Sequence, residues 1–135
     1  MKAMNPLLNH DQLVFLKQAL QERRTAVLEE IRAELLRSDN ERYLELAGSV
    51  HDIADESVAD LLVDLGVQNI DRLVEEVRDI EEAQLRIARG SYGTCLDCSA
   101  PIGYERLTYY PTAKRCHQCQ QHYEASHAGS QHASL

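Results

Sequence analysis

Residues 95–119 read CLDCSAPIGYERLTYYPTAKRCHQC: two Cys-x-x-Cys pairs, Cys95/Cys98 and Cys116/Cys119, with 17 residues between them. Two intervening residues let both thiolates of a pair reach one tetrahedral ion, and the longer loop brings the second pair round to complete the shell. The spacing predicts one structural zinc ion on Cys95, Cys98, Cys116 and Cys119, folding a small ribbon over residues 90–123. Four thiolates leave no position for an activated water, which argues against zinc hydrolysis and against an enzyme. Four unmetallated buried cysteines, or a redox dithiol, fit that spacing less well.

Ahead of the cysteines the periodicity is helical. Asn9 followed by Gln12 forms a capping box, so a helix begins near His10. Leu13, Leu16, Leu20, Val27, Ile31 and Leu35 then recur at three, four or seven residues and leave a polar opposite face. This predicts a first helix over residues 10–48, with a local irregularity at Ser38, Asp39 and Asn40 and a stop at Gly48. A second helix, starting at Asp52 and ending at Gly90, carries a seven-residue frame. Positions 59, 66, 73, 80 and 87 hold Ala, Gly, Leu, Ile and Ile, and 63, 70, 77 and 84 hold Val, Ile, Val and Gln. Gly66 is the soft spot in that frame.

Two such stripes joined by a few residues bury their apolar faces most simply as an antiparallel hairpin. The expected fold is mainly α: a long antiparallel coiled-coil hairpin over residues 10–89, about 54 Å long at 1.5 Å per residue, with a small four-cysteine ribbon. Residues 1–9 form an N-terminal segment and 124–135 a tail. The hairpin tip, residues 48–57, is acidic. Between residues 39 and 60 stand Asp39, Glu41, Glu45, Asp52, Asp55, Glu56 and Asp60 against Arg42 alone. Asp52 and Asp55 suit a helix N-cap and first turn, and carboxylates on a projecting tip also suit a cationic or metal-bearing site in a partner.

The composition narrows the function. With 14 Lys plus Arg against 22 Asp plus Glu, the net charge of -8 repels a phosphate backbone. The absence of Trp and the single Phe leave little bulk for a large core, so the metal has to stabilise the globular end. No secretory start or membrane span is evident, which points to a cytosolic protein in whose reducing setting clustered cysteines serve as metal ligands. His117, His122, His127 and His132 recur every five residues but are given no role. Tyr92, Tyr104, Tyr109, Tyr110 and Tyr123 are expected to fill the small core.

Tyr92-Gly93-x-Cys95-x-x-Cys98, Ile102, Arg106-Leu107, Pro111-Thr112-Ala113 and Cys116-x-x-Cys119 resemble the signature of the DksA/TraR family of bacterial zinc-finger transcription regulators. Asp52-Ile-Ala-Asp55-Glu-Ser57 resembles its acidic tip. The resemblance implies a chain that enters the secondary channel of RNA polymerase and alters initiation-complex stability without sequence-specific DNA binding. Asp52, Asp55 and Ser57 would lie near the catalytic magnesium, and Arg72 matches a position that engages the channel rim. Ser57 replaces the tip Ala, and Ser99 the Gly often found after the second cysteine. Asp79, Tyr110 and Gln120 replace basic residues that bind the alarmone ppGpp, so alarmone dependence is expected to be weak or absent. A zinc-stapled coiled-coil adaptor for another protein and a ribbon that binds nucleic acid are the alternatives.

Overall fold

The computed structural model describes residues 8–37, 41–48, 50, 60–62, 64 and 69–127. Five helices have both ends among these residues: α1 (His10–Leu36), α2 (Glu41–Ala47), α3 (Ile70–Arg89), α4 (Tyr104–Tyr109) and α5 (His117–Ser126).

The start of α1 is set by the capping box. The Asn9 side chain accepts from the Gln12 amide at 2.8 Å, and the Gln12 side chain accepts from the Asn9 amide at 3.0 Å. Along α1, Leu16, Leu20, Val27, Ile31 and Leu35 are buried, as their spacing predicts. On α3, Ile70, Leu73, Val77 and Ile80 are buried from both rows of the heptad frame, with Val74 and Ala83 beside them. Each buried Leu, Ile or Val side chain contributes about 1.5–3 kcal/mol by leaving water.

These two stripes face each other as an antiparallel pair. Gln84 donates to Gln21 at 3.1 Å and Arg24 binds Glu81 at 2.8 Å, so a step of three forward on α1 matches a step of three back on α3. Arg23 adds a two-pronged pair with Glu76. The α3 end is also as read: Gly90 is left-handed, with φ 82, and the chain turns there because glycine has no Cβ to clash.

Two expectations for the hairpin are corrected. The first helix is not continuous over residues 10–48: α1 stops at Leu36, after which α2 packs against α1. The second is not continuous from Asp52 to Gly90, because Asn69 has φ 71 and α3 begins only after it. Residues 60–62 and 64 are helical, but Asp60 lies 3.8 Å from Arg78. In one uninterrupted helix, eighteen residues would separate them by about 27 Å. This segment therefore runs back beside α3. Ala47, Val50 and Leu62 join Val27, Ile31, Leu35, Ile70, Leu73, Val74 and Val77 in one buried cluster, with Tyr43 and Leu46 against it. With 27 residues, α1 spans about 40 Å rather than 54 Å.

A second cluster at the other end joins Leu8, Leu16, Leu20, Ile80 and Ala83 to Tyr92, Cys95, Ile102, Leu107 and Ala113. The finger is thus fused to the hairpin base through shared core. It is not a β ribbon: among the described residues its only strand-like pairing is the isolated bridge between Thr94 and Pro101. The helix through Glu124 continues to Ser126, so the tail begins later than expected.

Candidate metal centre

The first cysteine pair is shaped by a tight backbone turn. The Cys95 amide donates to Ala100 at 2.8 Å, and the Ser99 amide donates back to Cys95 at 3.1 Å. Closing that turn puts Ser99 at φ 63, a conformation that glycine adopts without cost and a side chain does not. The second pair sits at the start of α5, with Cys116 as N-cap and Cys119 inside the first turn. The Leu96 amide donates to Lys114 at 2.9 Å and Arg115 binds Asp97 at 2.9 Å, holding the two pairs face to face.

All four Sγ atoms lie within 4.8 Å of one another, and those of Cys98 and Cys116 are 3.8 Å apart. A tetrahedron with Zn–S bonds of about 2.3 Å has edges of about 3.8 Å. Four soft sulfur donors at that separation fit one zinc ion, which Cys95, Cys98, Cys116 and Cys119 would hold. Burial pushes the Cys95 thiol up, but amides of Cys98, Cys116 and Asp97 directed at it prevail and hold it at about 6. Cys119 is pushed up to about 12 by the adjacent sulfurs of Cys116 and Cys98. The centre is closed and structural.

The signature residues around it are architectural. Leu107 is fully buried, Ala113 and Ile102 are buried with it, and Arg106 donates to the Arg115 carbonyl at 3.2 Å. The tyrosine expectation holds only in part. Tyr92 is buried and Tyr104 half-buried in edge contact with Phe15, whereas Tyr109 and Tyr110 are exposed. Tyr110 lies under Arg106, while Tyr123 is sandwiched between Arg115 and His127. The bridge from Asp97 to Arg115 and the buried Arg86 escaped the sequence reading. Asp97 within the first Cys-x-x-Cys pair and Arg115 directly before the second were the available signal.

The tip positions Asp52, Asp55 and Ser57 lie outside the described residues. Arg72 is exposed on the first turn of α3. Asp79 pairs with Lys114 at 3.5 Å, and Glu82 holds the same ammonium at 3.2 Å. Burial alone would lower the Lys114 pKa, but these two carboxylates raise it. Gln120 donates to Glu124 at 2.9 Å.

An antiparallel helical hairpin with a four-cysteine zinc finger built into its base defines the class of this protein. The prokaryotic dksA/traR C4-type zinc finger matches residues 90–125. The RNA polymerase-binding transcription factor DksA of Caulobacter vibrioides is 30% identical over 121 residues, 88% of this chain and 80% of that one. That of Buchnera aphidicola is 30% identical over 113 residues, 83% and 71% of the two chains. The solved structure of transcription factor DksA2 from Pseudomonas aeruginosa superposes with a TM-score of 0.60 at 26% identity, covering 89% of this chain and 88% of that one. The chain belongs to the DksA/TraR family.

Proposed function

We propose that this chain binds RNA polymerase through the secondary channel and modulates initiation-complex stability with the acidic tip of its hairpin. The observation that carries this reading is the match to RNA polymerase-binding relatives along hairpin and finger together, over 88% of the chain. The net charge of -8 agrees with it, because long-range repulsion from DNA leaves a protein partner as the source of affinity. In this reading Asp52 and Asp55 act electrostatically near the catalytic magnesium and its basic surroundings, with Ser57 beside them. Arg72, exposed on α3, contacts the channel rim. The chain transfers no group, and it works in the cytoplasm, where the bacterial polymerase is.

The response to ppGpp is weak or absent. Lys114 offers a cation near the relevant surface, but Asp79 and Glu82 already hold it, and Tyr110 and Gln120 bring no charge. The Lys114 charge is thus already taken up by two carboxylates, which leaves less of it for a polyanion.

Transcription in vitro from a ribosomal promoter, with and without the alarmone, tests both parts. Asp55→Ala and Asp52→Asn are expected to abolish the transcriptional effect while core polymerase is still retained in a pull-down. Unchanged transcription by both variants would remove the tip from the mechanism, and strong synergy with ppGpp would overturn the reading of Asp79, Tyr110 and Gln120.

A further inference from the structure

Val14 and Ile87 share a groove that the core of the hairpin leaves open. Val14 lies off the buried stripe of α1 and is 48% exposed, while Ile87, at the end of the α3 seam, is only half-buried. The groove has a volume of about 440 Å³ and a mainly apolar surface, and its other lining residues are Lys17, Gln18, Gln21 and Gln84. That volume is within the range of about 300–1,000 Å³ usual for small-molecule sites. All six residues belong to α1 and α3, and the finger meets α1 elsewhere, where Tyr104 touches Phe15. Ile87 also packs against the cluster that holds Leu16, Leu20 and Ile80, so an apolar guest here would extend an existing core.

The polar groups that the groove offers a guest are donors. Lys17 is exposed and forms no ion pair among the described residues, whereas Arg23, Arg24 and Lys114 are each held by carboxylates. Among those residues no acid lines the groove, although the chain as a whole carries a net charge of -8. Gln21 is one turn on from Lys17, on the same face of α1. Its side-chain oxygen accepts from Gln84 at 3.1 Å, which leaves its amino group for a guest, while Gln18 is engaged with Glu22 at 3.2 Å. An ammonium and an amide amino group one turn apart suit a carboxylate, and Val14, three residues before Lys17, suits a hydrocarbon attached to it.

We propose that this groove binds one free long-chain carboxylate, its head group between Lys17 and Gln21 and its hydrocarbon over Val14 and Ile87. Charge selects the anion. A cationic amphiphile meets Lys17 with like charge, and an uncharged hydrocarbon covers the ammonium and returns no partner to it. A membrane fits less well as the source of the acyl chain, because an anionic bilayer repels a chain of net charge -8 while a single carboxylate answers to Lys17 locally. Since the guest touches both arms, it fastens α1 to α3 and stabilises the hairpin by mass action. The site shares no residue with the tip or with Arg72, so it does not rest on the polymerase reading.

The test is titration of the zinc-loaded full chain with sodium dodecanoate below its micelle-forming concentration, read by calorimetry and by the NMR signals of the Val14 and Ile87 methyls and the Gln21 side-chain amide. One dodecanoate per chain is expected, with those signals moving together and with decanoate and octanoate each several-fold weaker than the next longer acid. Lys17→Glu should weaken dodecanoate binding by about tenfold and reverse the preference in favour of dodecylammonium, while Lys17→Arg keeps it. Val14→Gln should weaken it several-fold. These positions are exposed, so the free variants should melt as wild type does. No binding of dodecanoate, many ligands per chain, equal binding of dodecylammonium by wild type, or full affinity in Lys17→Glu would each overturn the proposal. Binding to vesicles of anionic phospholipid with none to monomeric dodecanoate would overturn it as well, and would assign the groove to a membrane surface.

Discussion

The phenolic hydroxyl of Tyr92 donates to the Pro111 carbonyl at 2.8 Å, tying the turn that leaves α3 to the loop that leads into the second cysteine pair. Tyr92 is 2% exposed. Burial pushes its phenol well above the ordinary tyrosine range, and the nearby Arg86 charge opposes this only in part. Tyr92→Phe should cost about 1–2 kcal/mol in chemical denaturation, the usual loss when one partner of an interior hydrogen bond is deleted. The sign of its pH dependence follows from the raised pKa. The stabilisation is complete below about pH 10, where the unfolded phenol is neutral, and is lost as pH rises towards the folded value. Wild type should thus lose stability above about pH 10 more steeply than Tyr92→Phe, and parallel curves would refute the assignment.

Zinc binding should be strongly pH-dependent. Near neutrality Cys95 is largely a thiolate, but Cys119 is not, and neighbouring sulfurs raise Cys98 against the lowering effect of the Ala100 amide. Zinc must therefore displace at least two protons, and affinity measured by chelator competition should rise on the order of 100-fold from pH 7 to pH 8. A rise below tenfold would contradict that proton count.

Removing the metal should unfold part of the chain rather than all of it. The ten-residue helix α5 buries no residue of its own and carries Cys119, whereas α1 and α3 bury their own stripes against each other. Chelation is expected to reduce the circular dichroism by about the helix content of α5 and α4, leaving the long pair folded. Complete loss of helix would mean that the shaft depends on the finger for its own stability.

Ser99 at φ 63 explains in physical terms why glycine suits the position after the second cysteine. A side chain in left-handed backbone costs about 1–2 kcal/mol, and part of what glycine recovers is offset by its freer unfolded chain. Ser99→Gly should therefore stabilise by about 0.5–1 kcal/mol, and β-branched Ser99→Val should destabilise by at least about 1 kcal/mol, both read from thermal melts with zinc in excess.

The parts of this structure legible in the sequence are those fixed by spacing. The cysteine pairs, the cap at Asn9, the stop at Gly90 and the buried stripes of α1 and α3 all follow from local periodicity and ligand reach. The interruption at Asn69 does not. The heptad frame passes through it, and Gly66 is the more obvious weak point by composition. The sharing of core between finger and hairpin is not legible either, because it joins Leu16, Leu20, Ile80 and Ala83 of the hairpin to finger residues distant in sequence.

Arg86, 9% exposed, is the one buried charged side chain among the described residues. Its Nη1 reaches Glu82 at 3.2 Å, while its Nη2 is buried with no hydrogen-bond partner among those residues. Glu82 also holds Lys114, so this carboxylate serves both a buried guanidinium of the shaft and an ammonium of the finger. Removing the carboxylate and removing the guanidinium should therefore differ in effect. Glu82→Ala leaves the buried guanidinium with less compensation and, because Glu82 itself is half exposed, should cost about 1 kcal/mol. Arg86→Met keeps most of the side-chain volume, deletes the unsatisfied donor, and should be neutral or stabilising by about 1 kcal/mol. The double variant should recover most of the loss seen in Glu82→Ala, measured as a coupling energy from urea denaturation. Additive losses would show that Arg86 stabilises the junction of hairpin and finger through its charge rather than through its bulk.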